Sequence, residues 1–191
     1  MKEFNIYLTG VGGQGIGLLS QTLLRGADHA GLKVIGVDTH GLAQRGGVVV
    51  SRIRCGSHVF SPLTLSHTCD LVLGMEIHEA LRGMNTAMKQ GGALVYMDLS
   101  WQPLPVRLNQ SPEITAEDIV GACRQFDARC IEVKPKGLPD ARMQNMALVG
   151  TVAKHGLIPG VSKSDYAKAL EDLLKGEMLT RNLDVFNRYA G

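Results

Sequence analysis

Residues Gly10-Val11-Gly12-Gly13-Gln14-Gly15 carry the spacing G-x-G-x-x-G between a short apolar run and a helical pattern. Glycine there lets the chain turn sharply and lets main-chain N–H groups approach an anion. The helix that follows adds its unpaired N–H groups and the positive end of its dipole. Anion binding, of a phosphate or pyrophosphate above all, is the chemistry this pattern could perform. The same residues would also make a tight strand-to-helix turn that binds nothing. No Lys-Ser or Lys-Thr follows the glycines, so this is not the triphosphate-binding P-loop. Asp38 ends the next apolar segment, where a dinucleotide-binding unit places the carboxylate that holds a ribose hydroxyl. A strand-end cap is an equally common use of aspartate. Residues 4–38 alone therefore allow a stand-alone NAD(P)- or FAD-binding Rossmann-like protein as an alternative reading.

A second glycine-rich stretch, His40-Gly41-Leu42-Ala43-Gln44-Arg45-Gly46-Gly47, follows at once. Arg45 brings a planar, permanently charged fork suited to phosphate or carboxylate. Gln44 can donate and accept, and Gly46 and Gly47 let main chain press against a neighbour. Both loops leave the edge of the sheet at which open α/β folds bind ligands. Gly12, Gly13, Gln14, Gly15, Gln44, Arg45, Gly46 and Gly47 are therefore candidates for one polyanion or partner surface. The bland reading of the second loop is a polar connection with a solvated arginine.

Nothing else in the chain spells catalysis. No Ser/His/Asp or Cys/His set stands out as a nucleophile. Cys55, Cys69, Cys123 and Cys130 lack the close C-x-x-C pairs that zinc and iron–sulfur sites use, so reduced, mostly buried thiols of a cytosolic protein are expected. Glu76-Ile77-His78-Glu79 lacks the second histidine of a metalloprotease motif, and no metal is expected.

The elements that must position these residues alternate. Phe4–Leu8, Lys33–Val37, Val48–Arg54, Asp70–Gly74, Ala93–Met97 and Cys130–Val133 read as strands. Gln14–Ala30, Glu76–Lys89 (closed by Gly91 and Gly92), Thr115–Phe126, Ala141–His155, Ser164–Leu174 and Glu177–Tyr189 read as helices. Cys55–His58 suggests a hairpin turn into Val59 and Phe60, and residues 101–112 a surface excursion. Alternation predicts a three-layer α/β fold with helices on both faces of a largely parallel sheet, opening with a Rossmann-like β-α-β unit. The loop between the second and third strands is too short for a crossover helix, so that pair is antiparallel or non-adjacent and the sheet is mixed.

With 191 residues and no linker, one domain over 1–191 is expected. A net charge of +2 without a basic block gives no footprint for nucleic acid or a membrane surface. The opening residues lack a secretory h-region, and no apolar run is long enough to span a bilayer, which points to the cytoplasm.

Four ordered segments carry a family resemblance: GVGGQGI (10–16), HGLAQRGG (40–47) with VVVSRIR, DLVLGMEIHEALR (70–82) and MQNMALVGTVAKHGLIP (143–159). Together they resemble the gamma-type domain of the 2-oxoacid:ferredoxin oxidoreductases, and within it the small (beta) subunit of the indolepyruvate branch. The resemblance spans nearly the whole chain. It implies an enzyme complex that decarboxylates a 2-oxo acid oxidatively to acyl-CoA and CO₂ and reduces ferredoxin. Thiamine diphosphate with Mg²⁺, and [4Fe–4S] clusters, would then belong to a larger partner subunit, because this chain has neither a thiamine-type Gly-Asp-Gly segment nor a cluster-binding cysteine array. It would be inactive alone and would bind no cofactor alone. The two glycine loops would face the thiamine-bearing subunit or coenzyme A, with Asn145 at the same edge or as an ordinary satisfied helix residue. Glu76 and Arg82 match the family pattern too, or form a solvated helix pair.

Overall fold

The computed structural model of the chain describes residues 3–39, 47–101, 104–138, 140 and 143–191. In chain order these form β1 (Phe4–Val11), α1 (Ile16–His29), β2 (Val34–Asp38), β3 (Val48–Cys55), β4 (Cys69–Gly74), α2 (Ile77–Ala87), β5 (Met88–Met97), α3 (Leu104–Arg107), α4 (Ala116–Gln125), β6 (Arg129–Val133), α5 (Gln144–Lys154), α6 (Lys163–Leu173) and α7 (Gly176–Ala190). Among the described residues six strands make one sheet in the order β2-β3-β1-β4-β5-β6. β1, β4, β5 and β6 run parallel. β3 runs against both of its neighbours.

Period-two alternation sorts the strand residues between two apolar layers. Ile6, Leu8, Leu71, Leu73, Val95 and Met97 face one side, against α1, α5, α6 and α7. Tyr7, Val72, Leu94 and Tyr96 face the other, against α2 and α4. Each fully buried Leu or Ile in these layers contributes about 1.5–3 kcal/mol. The last helix docks by Phe186, fully buried, with Leu179, Leu183 and Ala190 packed beside it. Of the two arrangements left open for the second and third strands, the antiparallel pairing is the one present, Val34 opposite Cys55 and Asp38 opposite Ser51.

Three local expectations change. β1 runs on to Val11, because Val48 of β3 pairs with it across the sheet. Helix α2 stops at Ala87, short of Gly91, because Met88 pairs with Cys69 and starts β5. Val59 and Phe60 form no strand; Arg54 donates to the carbonyls of Ser61 and Leu63 and holds that segment as a loop. The opening β1–α1–β2 unit has the expected strand, turn, helix and strand. β3 lies between its two strands, so β2 is one strand further from the glycine turn than in a dinucleotide-binding unit. No helix among the described residues is long and apolar enough to cross a membrane.

Candidate functional site

The glycine turn sits at the C-terminal end of β1. Gly13 and Gly15 take φ of 97° and 80°, values that side chains rarely adopt, and Gly15 is the N-cap of α1. Gly10 is needed for a different reason: a Cβ there would lie 2.6 Å from Met75 Cβ. Gln14 is buried. Its Oε1 accepts from the Val11 N–H at 2.8 Å, and its Nε2 reaches the Met75 carbonyl at 3.5 Å. Asn145, also buried, donates from Nδ2 to the Gly15 carbonyl at 3.2 Å. Both amides therefore brace the turn from behind, and neither side chain reaches the open edge. Gly47 joins the turn from β3, its carbonyl accepting from the Gly12 N–H at 2.9 Å. The structure thus unites Gly12, Gly13, Gln14, Gly15, Gly47 and Asn145. Gln44, Arg45 and Gly46 lie outside the described residues.

In front of the turn lies a cleft of about 580 Å³. The turn, Asp38, Thr39 and Ser51 line it. The first N–H groups of α1 have no intrahelical partner, and its first turn carries no acidic side chain to compensate them. Asp38 accepts from the Ser20 hydroxyl at 2.8 Å, which ties the tip of β2 to α1. Ser51 is fully buried, and among the described residues its hydroxyl has no hydrogen-bond partner. The cleft therefore pairs an anion-accepting end with hydroxyl and carboxylate groups suited to a polar ligand. Sequence reasoning missed Ser51. It occupies a plain strand position, and only the pairing of β3 with β1 and β2 brings it here.

A second polar cluster stands at the ends of β1 and β4. Glu76 is the N-cap of α2, its carboxylate accepting from the Glu79 N–H, from Trp101 N at 3.2 Å, and meeting His78 Nδ1 at 3.1 Å. Glu79 accepts from the Thr9 hydroxyl at 2.9 Å and pairs with Arg82 at 3.3 Å. Burial pushes the Glu79 carboxyl above its usual range, against the opposing pull of Thr9 and Arg82. The solvated Glu76–Arg82 pair does not form: Arg82 takes Glu79, and Glu76 is 1 % exposed. Glutamate is an uncommon N-cap, so the sequence offered no local signal for this.

The family model for pyruvate ferredoxin/flavodoxin oxidoreductase matches residues 5–189. Indolepyruvate oxidoreductase subunit IorB of Thermococcus kodakarensis is 30 % identical over 196 residues, 97 % of this chain and 91 % of that protein. The gamma subunit of a keto/oxoacid ferredoxin oxidoreductase from Geobacter sulfurreducens superposes with a TM-score of 0.65 at 18 % identity, over 100 % of this chain and 95 % of that one. A 2-oxoglutarate:ferredoxin oxidoreductase from Magnetococcus marinus, solved with 2-oxoglutarate, coenzyme A and succinyl-CoA bound, superposes with a TM-score of 0.68 at 20 % identity. That match takes in 99 % of this chain and 30 % of the longer one.

Proposed function

The chain belongs to the pyruvate ferredoxin/flavodoxin oxidoreductase family, and from that premise we propose that it is the small, non-thiamine-binding subunit of an indolepyruvate-type 2-oxoacid:ferredoxin oxidoreductase. The assembled enzyme converts a 2-oxo acid and coenzyme A to acyl-CoA and CO₂, and the electrons released reduce ferredoxin. Thiamine diphosphate with Mg²⁺ and the [4Fe–4S] clusters reside on the larger subunit, where thiamine diphosphate supplies the electron sink for decarboxylation. No three His, Cys, Asp or Glu side chains among the described residues stand close enough to share a metal ion. In this reading residues 1–191 act as one domain in the cytoplasm.

The observation that carries the reading is the cleft at the start of α1. Gly12, Gly13 and Gly15 form its main-chain wall, the Gly47 carbonyl anchors Gly12, Gln14 and Asn145 hold that wall in place, and the buried Ser51 underlies it. Phosphate groups of coenzyme A fit the helix N-terminus. Gln44, Arg45 and Gly46, outside the described residues, would face coenzyme A or the partner by the family resemblance. The dinucleotide alternative is less well served, because the intervening β3 sets Asp38 apart from the turn and Ser20 already engages it.

Co-purification with the large subunit tests the reading. The chain alone turns over nothing, and the complex reduces ferredoxin with a 2-oxo acid. Arg45→Ala leaves the complex assembled and raises the coenzyme A KM about tenfold, equivalent to roughly 1.4 kcal/mol. Thiamine bound to the isolated chain, or turnover by it, overturns the proposal.

A further inference from the structure

β6 is the last strand of the sheet among the described residues, and its outer edge pairs with no other strand. On such an edge every second N–H and C=O points outward. A groove of about 700 Å³ runs along it, between β6 and the helices α5 and α7. Ile131 and Val133 make an apolar floor, and Lys134, Lys136, Lys154 and Arg188 stand along the walls. Glu132 is the one carboxylate in the lining among the described residues, and it is already paired with Lys134 at 3.0 Å. Arg129 adds a further cation, its guanidinium donating to His155 Nδ1 at 2.8 Å. Burial, and then the charges of Arg129 and Lys154, hold His155 below its ordinary pKa, the response expected of an imidazole in a positive field. Helix α7 fixes the far end of the groove: Arg188 donates to the Gly137 carbonyl at 2.6 Å and Tyr189 to the Lys134 carbonyl at 2.8 Å.

Lysines beside a free edge keep two copies of that edge from pairing with each other. The same charges attract a strand of opposite sign. We propose that the outer edge of β6 accepts an extended acidic segment of a partner protein as an added strand, its carboxylates meeting Lys134, Lys136 and Lys154. Side chains of an added strand point alternately to the two faces of the sheet. Cations stand on both: Lys134 is paired with Glu132, which faces away from Val133 and α5, while Lys154 lies on α5 itself. A small anion would use neither the length of this arrangement nor the row of main-chain donors and acceptors. The proposal does not depend on which reaction the assembled complex performs.

The test uses the full 191-residue chain. A fluorescein-labelled heptapeptide of paired glutamates separated by single valines, which points carboxylates to both faces, is titrated against it, with a glutamine-for-glutamate peptide and inorganic tripolyphosphate as controls. The acidic peptide binds, the glutamine peptide binds at least about tenfold more weakly, and a several-fold rise in ionic strength weakens the acidic peptide about tenfold. Bound peptide slows amide hydrogen exchange in residues 129–133. Lys134→Glu with Lys154→Glu weakens binding about tenfold or more, and Lys134→Gln with Lys154→Gln does so by a lesser factor, both with unchanged thermal unfolding. Equal binding of the two peptides overturns the proposal. So does binding without protection of β6, or displacement of the peptide by tripolyphosphate at lower concentration than unlabelled peptide requires.

Discussion

Asn145 donates from its side-chain amide to the main-chain carbonyl of Gly15, joining two residues 130 positions apart in sequence. Its Oδ1 accepts from the N–H of Met146 at 2.8 Å. Gly15 is the left-handed N-cap of α1, so one buried amide at the start of α5 fixes where α1 begins and how the glycine turn faces the cleft.

Replacing Asn145 by Leu keeps the branching at Cγ, adds bulk and removes both bonds. The Gly15 carbonyl keeps its helical donor, Leu19 N–H, at 3.1 Å. The Met146 N–H loses its side-chain acceptor. A loss of about 1–3 kcal/mol is expected. Asn145→Asp costs more than Asn145→Leu, since it sets a carboxylate against the Gly15 carbonyl. Urea unfolding midpoints decide this, and a loss below about 0.5 kcal/mol for Asn145→Leu would show that the bond does not brace the turn.

Two glycines separate packing from conformational freedom. A Cβ at Gly10 would lie 2.6 Å from Met75 Cβ, 2.7 Å from Gln14 Oε1 and 2.9 Å from Ile16 Cδ1. Gly10→Ala therefore displaces the turn and costs about 1–3 kcal/mol or more. Gly121 sits inside α4 with nothing within 4 Å of an added Cβ. Gly121→Ala stabilises by about 0.5–1 kcal/mol, the helix preference of alanine over glycine. Thermal unfolding of the two variants is expected to move in opposite directions.

How far the sequence foretells this arrangement follows the range of the interactions. The Thr115–Asp118 capping box is local and legible: the Thr115 N–H donates to Asp118 Oδ2 at 2.8 Å, and the Asp118 N–H returns the bond to Thr115 Oγ1 at 3.3 Å. Loop length narrows β2 and β3 to an antiparallel or a non-adjacent arrangement, and the structure takes the first. The insertion of β3 between β1 and β2 does not, because pairing partners are chosen across the sheet by packing that no short window contains. Gln14 and Asn145 are identifiable as residues of the turn region, yet which way their amides point depends on Met75 and Gly15, neighbours brought in by tertiary structure. Ser51 shares its strand face with Val49, Ile53 and Cys55, so alternation turns it inward, but a lone serine on an apolar face gives no signal that it lies beside the cleft.

Glu79 gives a pH dependence with a defined sign. Burial raises its carboxyl above the ordinary 4.5 in the folded state, so the folded protein holds that proton more tightly than the unfolded chain does. Stability from this group is greatest below the unfolded value and declines as pH rises from about 4.5 through the higher folded value. Glu79→Gln keeps an acceptor for the Thr9 hydroxyl and removes the titration. The stability of the variant relative to the parent therefore increases between pH 4 and pH 7. A gap that stays flat or shrinks in urea titrations across that range would contradict a raised carboxyl.

The four thiols differ in access and in proton affinity, and labelling should rank them. Cys55, Cys69 and Cys123 are buried, and Cys130 is half-buried at the start of β6. Burial pushes the Cys55 thiol up to about 11 and raises Cys69 as well. A hydrogen bond from Cys123 holds Cys130 below the usual thiol range and Cys123 above it. The thiolate is the species that reacts. With iodoacetamide near pH 8, Cys130 is expected to be alkylated first, with the other three at least about tenfold slower and all four alike once the chain is unfolded in urea. Mass mapping of timed samples reads the order. Modification of Cys55 or Cys69 in the folded protein as fast as Cys130 would mean that the apolar layer between the sheet and its helices opens far more often than its complete burial allows.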